Sequence, residues 1–185
     1  NANPKLYGGL TNNFTWKGFD LSVFLNFSIG NKIYGANQMY YTKFNNRWRN
    51  TLKDKALDRF TVMNDKGEYI FNDPEQLAAV NKDRHYVSID GSSNLSFHSG
   101  YVEDGSFLKI NNISLGYTLP KSLVTKIKLS NVRFYATGYN LHTFTKYSGY
   151  DPEVNTCANN GLTPSIDWGA YPSAISVVFG ANISF

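Results

Sequence analysis

Between Phe19 and Gly30 almost every second residue is apolar. Phe19, Leu21, Val23, Leu25, Phe27 and Ile29 fall in one phase; Asp20, Ser22, Asn26, Ser28 and Gly30 fall in the other, with Phe24 the one apolar intruder. A period of two belongs to a β-strand, whose successive side chains point to opposite faces. A strand in a β-sandwich seldom keeps one face wholly apolar through six positions. A strand that crosses a bilayer must, since it needs about 9–11 residues with an apolar outer face. This stretch narrows the choice to a sheet packed on another sheet or a sheet packed on lipid.

The same alternation returns four times. In residues 10–16, Leu10, Phe14 and Trp16 oppose Thr11, Asn13 and Thr15, and Lys17-Gly18 then predicts a tight turn. After Ser106, Leu108 and Ile110 share one phase while Ile113, Leu115, Tyr117 and Leu119 share the other. The change of phase predicts a bulge near Asn111 and Asn112, with Asn112, Ser114, Gly116 and Thr118 on the polar side and Pro120 ending the strand. Val132, Phe134 and Ala136 then oppose Arg133, Tyr135 and Thr137, and residues 138–144 continue less regularly. In the last stretch Val177, Phe179, Ala181, Ile183 and Phe185 oppose Gly180, Asn182 and Ser184, with Val178 as the exception.

Five strands leave four connections, in the order short, long, short, long. Outer-membrane barrels alternate short periplasmic turns with long external loops. If Phe185 lies at the periplasmic end, Lys17-Gly18 and residues 121–131 both fall there, and the long stretches 31–105 and 146–173 both fall outside. Trp16, Phe19, Tyr117, Phe134 and Phe185 then form an aromatic girdle at the periplasmic ends of the five strands, where amphipathic rings are favoured. Within the first long stretch, residues 50–60 and the residues from Asp73 onward predict short helices. Ile33 and Tyr34 read as an extension of the preceding strand, and residues 121–131 as a connection with one helical turn.

Composition agrees with that reading. Among 185 residues the hydrophobic fraction is 42%, and no run of 18 apolar residues marks a helical span. The mean hydropathy is -0.36. Aromatic residues make up 16%, with 13 Tyr and 13 Phe, which suits a barrel with interfacial girdles and also an aromatic sandwich core. The net charge of +4 comes from scattered Lys and Arg interleaved with acids, a pattern that argues against nucleic acid as a partner. A single cysteine, Cys157, allows neither an intrachain disulfide nor a Cys-based metal site. The opening Asn1-Ala2-Asn3-Pro4 carries no signal peptide and reads as the middle of a longer protein.

Several phrases carry a family resemblance. Asn3-Pro4-Lys5-Leu6-Tyr7-Gly8-Gly9 precedes a strand pair ending in Gly18-Phe19-Asp20-Leu21-Ser22. Tyr101-Val102-Glu103-Asp104-Gly105-Ser106-Phe107-Leu108-Lys109 leads into Leu115-Gly116-Tyr117-Thr118-Leu119-Pro120. Gly138-Tyr139-Asn140-Leu141 leads into Thr145-Lys146-Tyr147-Ser148-Gly149-Tyr150-Asp151-Pro152-Glu153, and Gly169-Ala170-Tyr171-Pro172 precedes the last strand. Together they resemble the C-terminal part of SusC/RagA-family TonB-dependent outer-membrane transporters of Bacteroidetes, over nearly the whole chain except roughly residues 39–99. The fold class expected is all-β: an antiparallel transmembrane β-barrel segment, residues 1–185, giving about five C-terminal strands of a 22-stranded barrel, with residues 31–105 as a long extracellular loop and the plug domain and signal peptide absent. The resemblance implies uptake of oligosaccharides or peptides across the bacterial outer membrane. It also implies a SusD-like surface lipoprotein as lid, coupling to the TonB complex through the missing N-terminal part, and recognition of the terminal Phe185 by the barrel-assembly machinery. The alternatives are a soluble β-sandwich carbohydrate-binding module and, if no plug precedes this chain, a passive porin.

Ligand or lid contacts are expected in the long loops. Tyr40, Tyr41 and Trp48 cluster near Arg47 and Arg49 in the first; Tyr150 and Trp168, with Tyr147, lie in the second. Aromatic faces suit sugar rings and apolar side chains, and guanidinium groups suit acids. The simpler reading is that these rings pack the interiors of their own loops. Asp151, Glu153 and Asp167 offer carboxylates of the kind that hold Ca²⁺, but their spacing matches no EF-hand, and Asp151-Pro152-Glu153 more simply shapes a turn. His85, His98 and His142 are too dispersed to suggest a ligand set. No metal or cofactor is expected. No phosphate-binding loop, nucleophile elbow or zinc-protease helix is present, so enzyme activity is not expected.

Overall fold

The computed structural model describes residues 1–42, 50–86, 99–154, 156 and 164–185. In chain order the elements are β1 (Leu6–Trp16), β2 (Phe19–Ile29), a short β3 (Lys32–Tyr34), and helices α1 (Ala36–Tyr41), α2 (Lys53–Leu57) and α3 (Pro74–Asn81). There follow a short β4 (Val102–Asp104), β5 (Phe107–Thr118), helix α4 (Lys121–Val124), β6 (Asn131–Thr145) and β7 (Ser176–Ser184). The five long strands form one antiparallel sheet in the order β1-β2-β5-β6-β7. The chain divides into two compact units, Asn1–Tyr34 with Val102–Phe185, and Gly35–Tyr101.

The first hairpin turn and the bulge between β5 and β6 have local causes. Lys17 and Gly18 both adopt positive φ, 46° and 88°, as a type I′ hairpin requires. A Cβ on Gly18 would stand 2.8 Å from the Thr118 carbonyl oxygen, so only glycine fits this turn. The bulge falls where the phase change placed it: the pairing of β5 with β6 shifts register between Ile110 and Asn112. On β6 the facing irregularity is taken up by Asn140, at φ 52°. The pairing with β2 shifts between Phe24 and Leu25.

These shifts keep all five apolar sets on one face. Phe14, Leu21, Leu115, Ala136 and Phe179 lie side by side across the strands, followed by Asn12, Val23, Ile113, Gly138 and Val177. The opposite face carries rows such as Thr15, Asp20, Gly116, Tyr135 and Gly180. The short connections, 17–18 and 119–130, join strands at one end of the sheet, and the long ones, 30–106 and 146–175, leave and re-enter it at the other. Residues 119–130 include the expected helical turn, α4, whose Val124 is buried.

One expectation needs correction. Ile33 and Tyr34 do not prolong β2. Gly30, at φ 86°, turns the chain, and Lys32–Tyr34 pairs instead with Val102–Asp104 as a separate two-stranded sheet. Tyr34 also bridges Ile166, through Tyr34 N–H to the Ser165 carbonyl (3.0 Å) and Asp167 N–H to the Tyr34 carbonyl (2.9 Å). Under this small sheet Ile33, Tyr147 and Val154 form a buried cluster, with Ala170 against it.

The second unit is held by a few contacts of its own. Ala36 and Met39 of α1 are buried, and the Thr42 and Tyr101 hydroxyls are 2.8 Å apart. The helix expected within residues 50–60 is shorter, Lys53–Leu57. Helix α3 begins as expected: the Asp73 carboxylate accepts from the Gln76 amide at 3.0 Å, and Pro74 occupies the first turn, where its missing N–H costs nothing. Its last residue, Asn81, accepts from Thr61 N–H and donates to the Thr61 carbonyl, both at 2.8 Å.

Candidate functional site: the two faces of the sheet

The two faces of the long sheet have opposite chemistry. On the first, Leu10, Phe14, Leu115, Phe134, Val177, Phe179 and Ile183 are all exposed. Phe179 keeps 79% of its surface and Phe14 59%. An aromatic side chain carries about 150–250 Å², so Phe14, Phe134 and Phe179 alone reach the few hundred Å² that a soluble monomer tolerates in one patch. Leu21, Val23, Leu25 and Phe27 on β2 are only half-buried, not sealed in as the inner face of a sandwich would be. Trp16, Phe19, Tyr117 and Phe134 are cross-strand neighbours in one row, with the Phe19 and Tyr117 rings 4.5 Å apart. Ala181 completes that row; Phe185 stands four residues further along, beyond the end of β7.

The second face is hydrogen-bonded. Arg133 of β6 reaches across β5 to Asp20 of β2: Nε–H donates to Oδ1 at 2.9 Å and an Nη to Oδ2 at 2.5 Å. This bidentate pair passes directly over Gly116, where a Cβ would lie 2.5 Å from both partners. The Thr137 hydroxyl donates to the Ser114 hydroxyl at 2.8 Å. Two other glycines on this face are covered by rings. Tyr135 lies over its cross-strand partner Gly180, and Phe24 over Gly9. Phe24, the apolar intruder, thus fills the space left by a glycine on the neighbouring strand.

The second long connection folds back onto this face. Lys109, between the outward Leu108 and Ile110, points inward and is only 3% exposed. Its ammonium donates to Glu153 Oε2 at 2.5 Å and to the Ser173 hydroxyl at 3.4 Å, and lies 3.8 Å from Asp151. Asn26 Nδ2 donates to the other Glu153 oxygen at 2.8 Å. Asp151 in turn accepts from the Glu153 amide (3.0 Å) and from the Ser173 hydroxyl (3.0 Å) and amide (3.3 Å). Burial raises the Asp151 pKa, but these bonds and the Lys109 charge outweigh it and hold the carboxyl below its ordinary range. A cleft of about 600 Å³ opens beside this network, lined by Tyr7, Phe24, Asn26, Ser28, Glu153 and Val154 among others.

The three candidate Ca²⁺ carboxylates therefore do separate work. Asp151 and Glu153 gather around an ammonium group, and Asp151 shapes the turn before Glu153. Asp167 accepts from the Tyr147 phenol at 2.6 Å and from the amides of Gly169 (2.7 Å) and Ala170 (3.1 Å). Burial first, and then that hydrogen bond, push the Tyr147 pKa far up, so the phenol stays protonated and donates.

The ligand candidates fall on both units and are placed one by one. Tyr40 falls on α1 with its side chain outside the description, and Tyr41 follows it, exposed. Arg47, Trp48 and Arg49 lie outside the described residues. Tyr150 is 78% exposed, and Trp168 is exposed with its amide bonded to the Thr156 hydroxyl at 3.0 Å. Tyr147 instead packs the interior of its loop. His85 hydrogen-bonds Asp58 at 3.0 Å, His142 packs edge-on against Phe144, and His98 lies outside the described residues. The residues that sequence reasoning missed are Asp20, Arg133 and the Lys109 network. The available signal was charge at inward phases of otherwise uncharged strands.

Comparison with known proteins follows the same lines. No family model matches the chain. TonB-dependent receptor P3 of Formosa agariphila is 30% identical over 98% of this chain and 16% of its own length. TonB-dependent receptor SusC of Bacteroides thetaiotaomicron is 28% identical over 96% of this chain and 15% of its own. This chain thus spans about a sixth of these relatives. Among solved structures, the RagAB peptide transporter superposes with a TM-score of 0.74 at 25% identity, and the RagAB peptide importer in the 'open-open' state with 0.72 at 27%; each covers all of this chain. The class is that of an antiparallel transmembrane β-barrel, represented here by an unclosed five-stranded segment with edges β1 and β7. Within that class the chain belongs to the TonB-dependent receptors of the SusC/RagA type.

Proposed function

We propose that this chain forms part of the wall of an outer-membrane barrel that imports nutrients, oligosaccharides or peptides, at the expense of energy delivered by TonB. The observation that carries the reading is the pairing of faces: an apolar face across five strands, much of it exposed, backed by a hydrogen-bonded polar one. In lipid every backbone polar group must be paired, so both edges of the sheet continue into further strands of a closed barrel. Residues 1–185 are the C-terminal portion of that barrel. The apolar face meets acyl chains, and Trp16, Phe19, Tyr117 and Phe134 sit at the periplasmic interface.

The long connections 31–105 and 146–173 are extracellular. Tyr41, Tyr150 and Trp168, with Tyr40, Arg47 and Trp48, contact substrate or a SusD-like lipoprotein seated over the barrel. TonB is engaged by a part of the protein outside this chain. The relatives are described as receptors and importers, which favours transport over catalysis. Fractionation of cells making the full-length protein tests the reading. Recovery in the outer-membrane fraction, with release only by detergent, is expected; recovery in the soluble fraction without detergent contradicts it.

A further inference from the structure

We propose that residues 146–154 and 164–173 form a strap fastened to the inner wall of the sheet by Lys109, which acts as a positioning residue. Its function is to hold the base of this connection as a fixed part of the wall. The geometry of the wall carries this inference, whatever the transported substrate.

Lys109 is the partner of Asn26 in the β2–β5 register, so the two side chains stand together on the inner face. Between them they engage both oxygens of Glu153, one from each strand. The ammonium also meets Asp151 and Ser173, near the two ends of the connection, and Ser173 is itself bonded to Asp151. One cation thereby ties the outgoing and returning limbs of the strap to each other and to the wall. A lysine in this position is deeply buried only because the strap covers it, and a buried ammonium is tolerated when its partners are anionic and hydrogen-bonded. Two further attachments fix the strap's outer part. Glu103 accepts from the Ser148 amide (2.8 Å) and hydroxyl (2.7 Å), and residues 165–167 bridge to Tyr34. Those attachments do not involve Lys109, so loss of the latch should free the base of the strap and leave its outer part in place.

The test is hydrogen exchange in the purified full-length receptor, comparing the parent with Lys109→Met and Lys109→Arg. The Lys109→Met variant is expected to speed exchange at residues 151, 153, 154 and 173 by about tenfold or more while β1 and β2 keep their protection. Lys109→Arg, which retains the charge, is expected to stay near the parent. Unchanged exchange in the strap, or an equal acceleration throughout the sheet, overturns the proposal. A second measurement covers failure of Lys109→Met to assemble. Glu153→Gln leaves Lys109 and the packing around it in place but removes the carboxylate that it pairs with, and should likewise speed exchange at residues 151, 154 and 173 while β1 and β2 keep their protection. Unchanged exchange there in Glu153→Gln overturns the proposal as well.

Discussion

The two faces of one sheet differ as much as two proteins might. On one, Leu10, Phe14, Leu115 and Phe179 stand exposed and bond to nothing polar; on the other, Asp20 and Arg133 reach across a strand to meet, and Lys109 disappears under a strap. Both faces come from the same backbone and alternate residue by residue. The difference teaches that each face was shaped by its own surroundings. Water on one side permits charge and demands that buried charge be paired. The absence of water on the other side leaves only apolar side chains affordable.

The largest expected effect comes from moving one charge by one residue. Leu10→Arg, on the apolar face near mid-strand, should cost about 2–4 kcal/mol. Thr11→Arg, next to it on the polar face, should fall within about 0.5 kcal/mol of the parent. Denaturant titration of the receptor folded into lipid vesicles measures both, and equal costs would break the comparison. Gly116→Val comes next. It pushes a side chain between Asp20 and Arg133 and should cost about 1–3 kcal/mol by the same assay. Ala136→Val, beside it on the apolar face, should be close to neutral.

Acid should act on the polar face alone. Because the folded Asp151 pKa lies below its unfolded value of about 3.9, its contribution is complete above that value and disappears as pH falls through the folded one. Exchange at Ser173 should therefore accelerate below about pH 4, while the outward-facing rows show no such step. The smallest effect lies on neither face. Lys17 occupies the first position of a type I′ turn at positive φ, where Asn is preferred, so Lys17→Asn should stabilise by about 0.5 kcal/mol in thermal unfolding.

Most of the sheet was legible because a period of two is a strong signal over 9–15 residues. The phase change at Leu108–Ile113 even located the bulge. Strands β3 and β4 escaped because three residues are too few to show a period. Helix α1 escaped because Ala36 to Tyr41 carries neither a side-chain cap nor a charged first turn. The sequence around Lys109 shows only a lysine between Leu108 and Ile110. Its importance depends on Asp151, Glu153 and Ser173, some 40 to 65 positions away, which no local pattern connects. The aromatic ligand candidates rest on residue type and loop position alone, because exposed rings such as Tyr150 leave no packing signature in a sequence.

The most direct test of the central claim is a nitroxide scan of residues 177–183 in the full-length receptor, reconstituted in lipid vesicles. Collision rates with oxygen, which concentrates in acyl chains, are compared with those of a water-soluble nickel complex. Positions 177, 179, 181 and 183 should be oxygen-accessible and shielded from nickel, and 178, 180 and 182 the reverse. A flat profile, or one with the phases exchanged, would contradict a lipid-facing outer surface.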